Sequence, residues 1–159
     1  MPSKVRRVVT GHDANGRAVV TFDETVDVPE IRPGIAGRVF WVTEGFPVDN
    51  TGGEDTSSRQ VATTLANGSI FRIVEFAPGN SPRRHRTDSI DYAIVLYGEI
   101  DMELEGPQDA IHLRAGDVLV QRGTIHNWIN KGTVPCGIAF ILIDAKPVAV
   151  GGKVLHAEG

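Results

Sequence analysis

Five histidines are the side chains best suited to chemistry in this chain: His12, His85, His112, His126 and His156. Imidazole exchanges protons near neutrality and is the commonest side-chain ligand for metals. His12 lies beside a predicted turn, His156 near the end of the sequence, and His112 between polar neighbours in a short strand. These three read as surface positions. His85 and His126 have richer surroundings. Arg83, Arg84 and Arg86 flank His85, with Thr87 and Asp91 following; Gln121 and Arg122 precede His126, with Trp128 and Asn130 following. In an extended chain residues two apart share a face, so Arg83, His85 and Thr87 fall together, as do His126, Trp128 and Asn130. Arginine supplies 12 of the 16 basic residues, and a guanidinium can clamp a carboxylate or enolate through paired hydrogen bonds. Arg83 reads equally as such a clamp or as solvated charge. Arg84 and Arg86 point the other way and read as a solvated basic loop balancing the charge of the acidic strand 99–105. Trp128 could wall a cavity or simply pack in a core. Cys136 has no basic neighbour to lower its pKa and reads as a packed strand residue.

The elements that must position these groups read as strands. Val and Ile total 32 against 7 Leu, and there are 18 Gly and 9 Pro. Branched side chains suit a pleated sheet, and Gly and Pro punctuate it with turns. Residues 5–10 and 17–22 flank a turn and predict a hairpin. Further strands are expected over 39–43, 69–76, 91–97, 99–105, 111–113, 117–121, 126–130 and 137–143. Residues 49–58 read as a surface loop, and 146–159 as irregular or a short covering strand. In 99–105 the alternation is clean: Ile100, Met102 and Leu104 point one way, the acidic residues the other. Residues 91–97 are apolar on both faces and need cover on both, the outer from the N-terminal strands or from a second subunit.

Composition excludes other classes. At 159 residues the prior is one domain, divided here into N-terminal strands and loop (1–68), a barrel (69–144) and a tail (145–159). A net charge of −4 argues against a nucleic-acid binder. The longest apolar runs, 92–97 and 138–143, are far short of the ~20 residues of a membrane helix. No signal segment is apparent, and a single cysteine suits the reducing cytoplasm.

Two stretches carry a family resemblance. Gly79-x5-His85-x-Thr87-x3-Asp91-x6-Gly98 and Gly116-x6-Gly123-x2-His126-x3-Asn130 resemble the two motifs of the cupins. The resemblance implies an all-β fold, a double-stranded β-helix or jelly-roll barrel, here with an N-terminal β-hairpin extension. It also implies one divalent metal in the pocket. Carried over residue by residue, His85, Asp91 and His126 match family ligands, with Asp for the usual Glu, and Thr87 falls at the second-histidine position. Two imidazoles and a carboxylate make the facial triad of non-haem Fe(II), and Zn, Mn or Ni would accept the same set. The other reading is a pocket without metal, its histidines merely hydrogen-bonded. Arg83, Thr87, Gln121 and Trp128 are the substrate-binding candidates. The function implied is a metal-dependent enzyme acting on a small, anionic or aromatic organic substrate, by dioxygenase, isomerase, decarboxylase or dehydratase chemistry. The alternative is a non-catalytic ligand-binding or sensor protein. A homodimer is expected, because cupins commonly pair through a sheet such as 91–97 presents.

Overall fold

The computed structural model describes residues 3–159. The chain runs through β1 (Ser3–His12), β2 (Ala18–Val28), β3 (Glu30–Arg32), β4 (Ile35–Glu44), β5 (Gly68–Phe76), β6 (Ser89–Tyr97) and β7 (Glu99–Glu103). There follow β8 (Ala110–Arg114), β9 (Val118–Arg122), β10 (Asn127–Ile129), β11 (Cys136–Asp144), β12 (Val148–Val150) and β13 (Lys153–Leu155). Short 3-10 turns cover Thr56–Ser58 and Pro107–Asp109. No helix among the described residues is long and apolar enough to cross a membrane.

A six-stranded sheet, β3-β4-β5-β11-β6-β9, faces a three-stranded sheet, β10-β7-β8, and every pairing is antiparallel. Together they make the double-stranded β-helix. Between them lies the main core: Phe76, Val95, Ile138 and Leu142 from the large sheet meet Ile100, Met102, Leu113 and Trp128 from the small one. The alternation expected in 99–105 is present, with Ile100 and Met102 1–2% exposed. The β6–β7 turn brings the chain from one sheet to the other at Gly98, whose φ is 74°. A Cβ there would lie 2.8 Å from the Cys136 Cα, so both the backbone angle and the space require glycine.

The expected hairpin is present and longer, its pairing running on to Ser3 opposite Val28, and Asp13 closes its turn. The Asp13 carboxylate accepts the N–H of Asn15 at 2.8 Å and of Arg17 at 3.0 Å. The hairpin packs outside the large sheet, where Val26 and Val28 join Phe40, Ile73 and Ala139 in a second, smaller core. It leaves the outer faces of Tyr92, Ile94 and Leu96 on β6 and of Val118 and Val120 on β9 open. Of residues 91–97 only the inward side is covered: Ala93 and Val95 are buried, while Tyr92, Ile94 and Leu96 stay 38–44% exposed beside Val118 and Val120. The tail also differs from expectation, forming the β12–β13 hairpin and then a bridge from Glu158 to Arg86.

The loop 49–58 is anchored at its end. Asp55 caps the turn Thr56–Ser58 by accepting from the Ser57 N–H and receives the buried Arg7 guanidinium at 2.5 and 2.8 Å. Arg7 also meets Glu24 and donates to the Phe40 carbonyl at 3.3 Å. The Arg7 guanidinium holds the Asp55 carboxyl well below the usual carboxylate range. One buried cation thus ties the hairpin, the loop and β4 together. Breaking a buried pair leaves a desolvated charge unmet, though the acids here are partly exposed. Arg7→Ala is therefore expected to lower unfolding free energy by about 2 kcal/mol, read from chemical denaturation; a change within experimental error would show that the hairpin is held by its apolar residues alone.

Candidate functional site

His85 and His126 are brought face to face by the backbone. Each gives its N–H to the other's carbonyl, at 3.0 and 2.9 Å, as a directly opposed antiparallel pair does. Their rings consequently lie 4.2 Å apart between centroids, inclined by 52°. Buried amides hold the two segments in this register. The Asn130 N–H donates to the Asn80 side-chain oxygen at 2.8 Å, and the Asn80 amide donates to the Trp128 carbonyl at 2.9 Å. The Asn130 amide in turn donates to the carbonyls of Phe76 and Val134. On the other side Asn127 accepts the Arg83 N–H at 2.9 Å and donates to Glu103.

The two imidazoles are set alike. The Nδ1 of His85 lies 3.0 Å from the Arg83 carbonyl, and the Nδ1 of His126 lies 3.0 Å from the Thr124 carbonyl. A carbonyl only accepts, so Nδ1 carries the hydrogen in each ring and Nε2 is left with its lone pair. Burial favours the neutral form of both. It lowers the His85 pKa, with Arg83 and Arg32 acting in the same sense. It brings His126 down to about 4, helped by the neighbouring His85 and by Arg83.

The pair opens on a cavity of about 410 Å³ lined by residues of both sheets and of segment 61–63. Phe76, Trp128, Phe140, Val74 and Leu142 form its apolar wall. Trp128 packs edge-on to Phe140 at 5.5 Å between centroids. Arg32, Arg72, Arg83 and Asp91 supply its charge. Of the predicted site residues, Arg83, His85, Asp91, His126 and Trp128 all line this cavity, whereas Thr87 and Gln121 do not. Gln121 is buried and donates to the Thr124 hydroxyl at 3.2 Å. Arg32 and Arg72 escaped the sequence reading. Arg72 had a signal: it shares parity with Ile70, Val74 and Phe76, a charge in an inward row. Arg32 sits on a three-residue strand, too short for any period to show.

The cupin domain family model matches residues 72–142. The cupin-domain-containing oxidoreductase fogC of Aspergillus ruber is 34% identical, the alignment covering 97% of this chain and 79% of that protein. The chain belongs to the cupin family. A second relative of this cupin is the phomopsin biosynthesis cluster protein C' of Diaporthe leptostromiformis, 40% identical over 94% of this chain and 83% of that one. Among solved structures, KdgF from Halomonas sp. is similar at 19% identity with a TM-score of 0.49, over 74% of this chain and 88% of that one.

His85, Asp91 and His126, the ligand set that the family pattern implies for this cupin, line one cavity. Among the described residues no three His, Cys, Asp or Glu side chains gather closely enough to hold a metal ion. His85 and His126 stand together, but an Oδ of Asp91 is engaged by the Ser89 hydroxyl at 2.6 Å. Thr87, expected at an open ligand position, is buried and in contact with the same Ser89 hydroxyl at 2.8 Å. A row of Thr87, Ser89 and Asp91 therefore occupies the inner face of this strand as a hydrogen-bonded chain. Burial raises the Asp91 pKa, against the pull of Ser89 and Arg72. The two imidazoles thus stand as a pair, with the Asp91 carboxylate apart from them on the same cavity wall.

The buried imidazoles make the fold acid-sensitive. His126 takes a proton near 6.5 when unfolded and near 4 in the fold. Between these values the unfolded chain binds more protons, so stability falls as pH drops through this window, by on the order of 3 kcal/mol when complete. His85 acts in the same direction, and Asp91 in the opposite one. Denaturation midpoints measured from pH 7 to pH 4.5 are expected to decline, and His126→Asn to flatten that decline. An unaltered slope in the variant would show that His126 titrates normally.

Proposed function

We propose that this cavity is the active site of an enzyme acting on a small, anionic or aromatic organic molecule, and that the His85–His126 pair moves the proton. The observation that carries the reading is the pair itself: two neutral imidazoles, each with Nδ1 tied to a backbone carbonyl, opening on an apolar cavity with arginines. A C–H beside a carbonyl gives its proton to an Nε2. The electron pair left behind passes to the carbonyl oxygen, and a guanidinium meets the resulting enolate charge. The same step opens isomerisation and dehydration. An imidazole with a pKa near 4 is a weak base in the empty site. An anion seated among the arginines cancels part of the field that depresses it, so the substrate itself raises the basicity of the pair.

Relatives named as members of biosynthesis clusters or as oxidoreductases support a small-molecule substrate. An oxidation would need an electron acceptor besides these side chains. A divalent ion, Fe, Zn, Mn or Ni, would find two imidazole nitrogens here and would need the rest of its ligands from substrate or water. The buried lone cysteine supports a cytoplasmic setting.

The test is solvent exchange. Wild-type protein is expected to catalyse deuterium uptake from D2O into aryl-keto acids, followed by NMR. His85→Gln and His126→Gln should each lower the rate at least about 100-fold. Dialysis against EDTA should leave the rate within about twofold. Loss on dialysis, restored by one metal, would put an ion in the mechanism. Binding of such acids with no exchange in any form would favour the non-catalytic, ligand-sensing reading.

The homodimer belongs to the same proposal. Tyr92, Ile94, Leu96, Val118 and Val120 form a contiguous exposed apolar surface on neighbouring strands, of the kind that subunits cover. Light scattering at micromolar concentration is expected to give twice the chain mass, and Ile94→Glu with Val120→Lys to give the monomer. A wild-type monomer would reject the pairing.

A further inference from the structure

The charge of the cavity is unbalanced. Arg32, Arg72 and Arg83 line it with a single carboxylate, Asp91, and the two histidines beside them are held neutral. Among the lining side chains, three guanidiniums stand against one carboxylate, an excess of two positive charges beside an apolar wall.

Elsewhere three buried or half-buried arginines meet carboxylates, while the half-buried Arg38 donates only to the Asp27 carbonyl. Arg7 meets Asp55 and Glu24, Arg59 meets Glu44 and Glu54, and Arg86 meets Glu158. Among the described residues none of the three cavity arginines has a side-chain carboxylate within ion-pair distance. Their hydrogen bonds are also incomplete. Arg72 spends one nitrogen on the carbonyls of Ala62 and Thr63. Arg83 spends one on the Thr63 hydroxyl and the Gly159 carbonyl. Nε of Arg32 and of Arg72 is buried with no partner. The same is true of Nε in Arg7 and Arg86, but those two meet carboxylates through their other nitrogens. Partly buried guanidiniums that repel one another and have no side-chain carboxylate partner are stabilised when a ligand supplies the missing charge.

We infer that the ligand of this cavity is a small dianion: a dicarboxylate, or a carboxylate carrying a second anionic oxygen, with an apolar or aromatic body. This rests on reading the cavity as the substrate site, and it narrows that reading to a charge. A carboxylate engages the arginine cluster, and the second anionic group meets the positive charge that remains once Asp91 is counted. The body lies against Trp128, Phe76 and Phe140. At about 410 Å³ the cavity is at the small end for ligand sites and suits one ring rather than several.

The test compares ligands of one ring and rising charge by calorimetric titration at pH 7.5: benzamide, benzoate and the three phthalate isomers. The best phthalate should bind at least about 10-fold more tightly than benzoate, and benzoate more tightly than benzamide, since each charged hydrogen-bonded pair is worth roughly that factor or more. Arg32→Gln, Arg72→Gln and Arg83→Gln should each weaken the phthalate at least about 10-fold, and benzamide by a smaller factor. Arg32→Lys should restore part of the loss, and thermal melts confirm that each variant is folded. Equal binding of benzoate and all phthalates, or Gln variants that bind phthalate like wild type, would overturn the inference. A flat charge series alongside exchange lost in the histidine variants would reject the dianion and keep the acid–base reading. A steep series with no exchange would do the reverse.

Discussion

The site depends on two backbone hydrogen bonds, those that His85 and His126 exchange. They lie outside the named strands, as an isolated bridge, so no long ladder holds them. What holds them is a set of buried side-chain amides. Asn130, fully buried, serves the carbonyls of Phe76 and Val134 and the Gly132 N–H, and binds Asn80 through its own N–H. Such a network is costly if half-made and specific when complete. It excludes a slip of one residue, which in extended chain would turn one imidazole away from the other. The spacing of His126 and Asn130 in the second motif has a physical reason: the ring needs the amide to fix the segment opposite.

The inner face of the strand that follows His85 shows how one replacement reorganises its neighbours. With threonine at position 87 there is no imidazole to join the pair. Its hydroxyl instead meets Ser89, and Ser89 meets Asp91. A hydroxyl two residues before a carboxylate is well placed to solvate one of its oxygens along a strand, as Ser89 does for Asp91. The carboxylate remains on the cavity wall as a buried acid beside Arg72, while the imidazoles remain a pair. Environments that push an acid up and two bases down in one cavity are those that acid–base chemistry uses.

Much of this was legible in the sequence, where local rules apply. Branched residues and turn glycines marked the strands, and the alternation at Ile100 and Met102 placed their inner face. His85 and His126 stood out by type and spacing, and the family resemblance supplied the barrel that joins them. Three things were not legible. Arg32 and Asn80 reach the site through pairings between segments distant in sequence, which no periodicity within a short segment encodes. The engagement of Asp91 by Ser89 is a competition between side chains, and the motif spacing is blind to it. The cover of residues 91–97 is a question of where the hairpin lands. Arg7 and the second core direct it to β4, β5 and β11 instead.

Strands β5 and β11 therefore serve as a party wall between two cores. On one side Val74, Phe76, Ile138, Phe140 and Leu142 belong to the cluster around the cavity; on the other Ile73 and Ala139 hold Val26 and Val28 of the hairpin. The inner compartment rests on a dozen buried residues and the outer on five, so the outer should open first and most often, as a separate cooperative unit. Amides of β1 and β2 would then exchange with solvent while those beside the cavity stay protected. Mutations can accumulate in the hairpin, down to its length and outward residues, with the shape of the chamber on the far side of the wall left as it was.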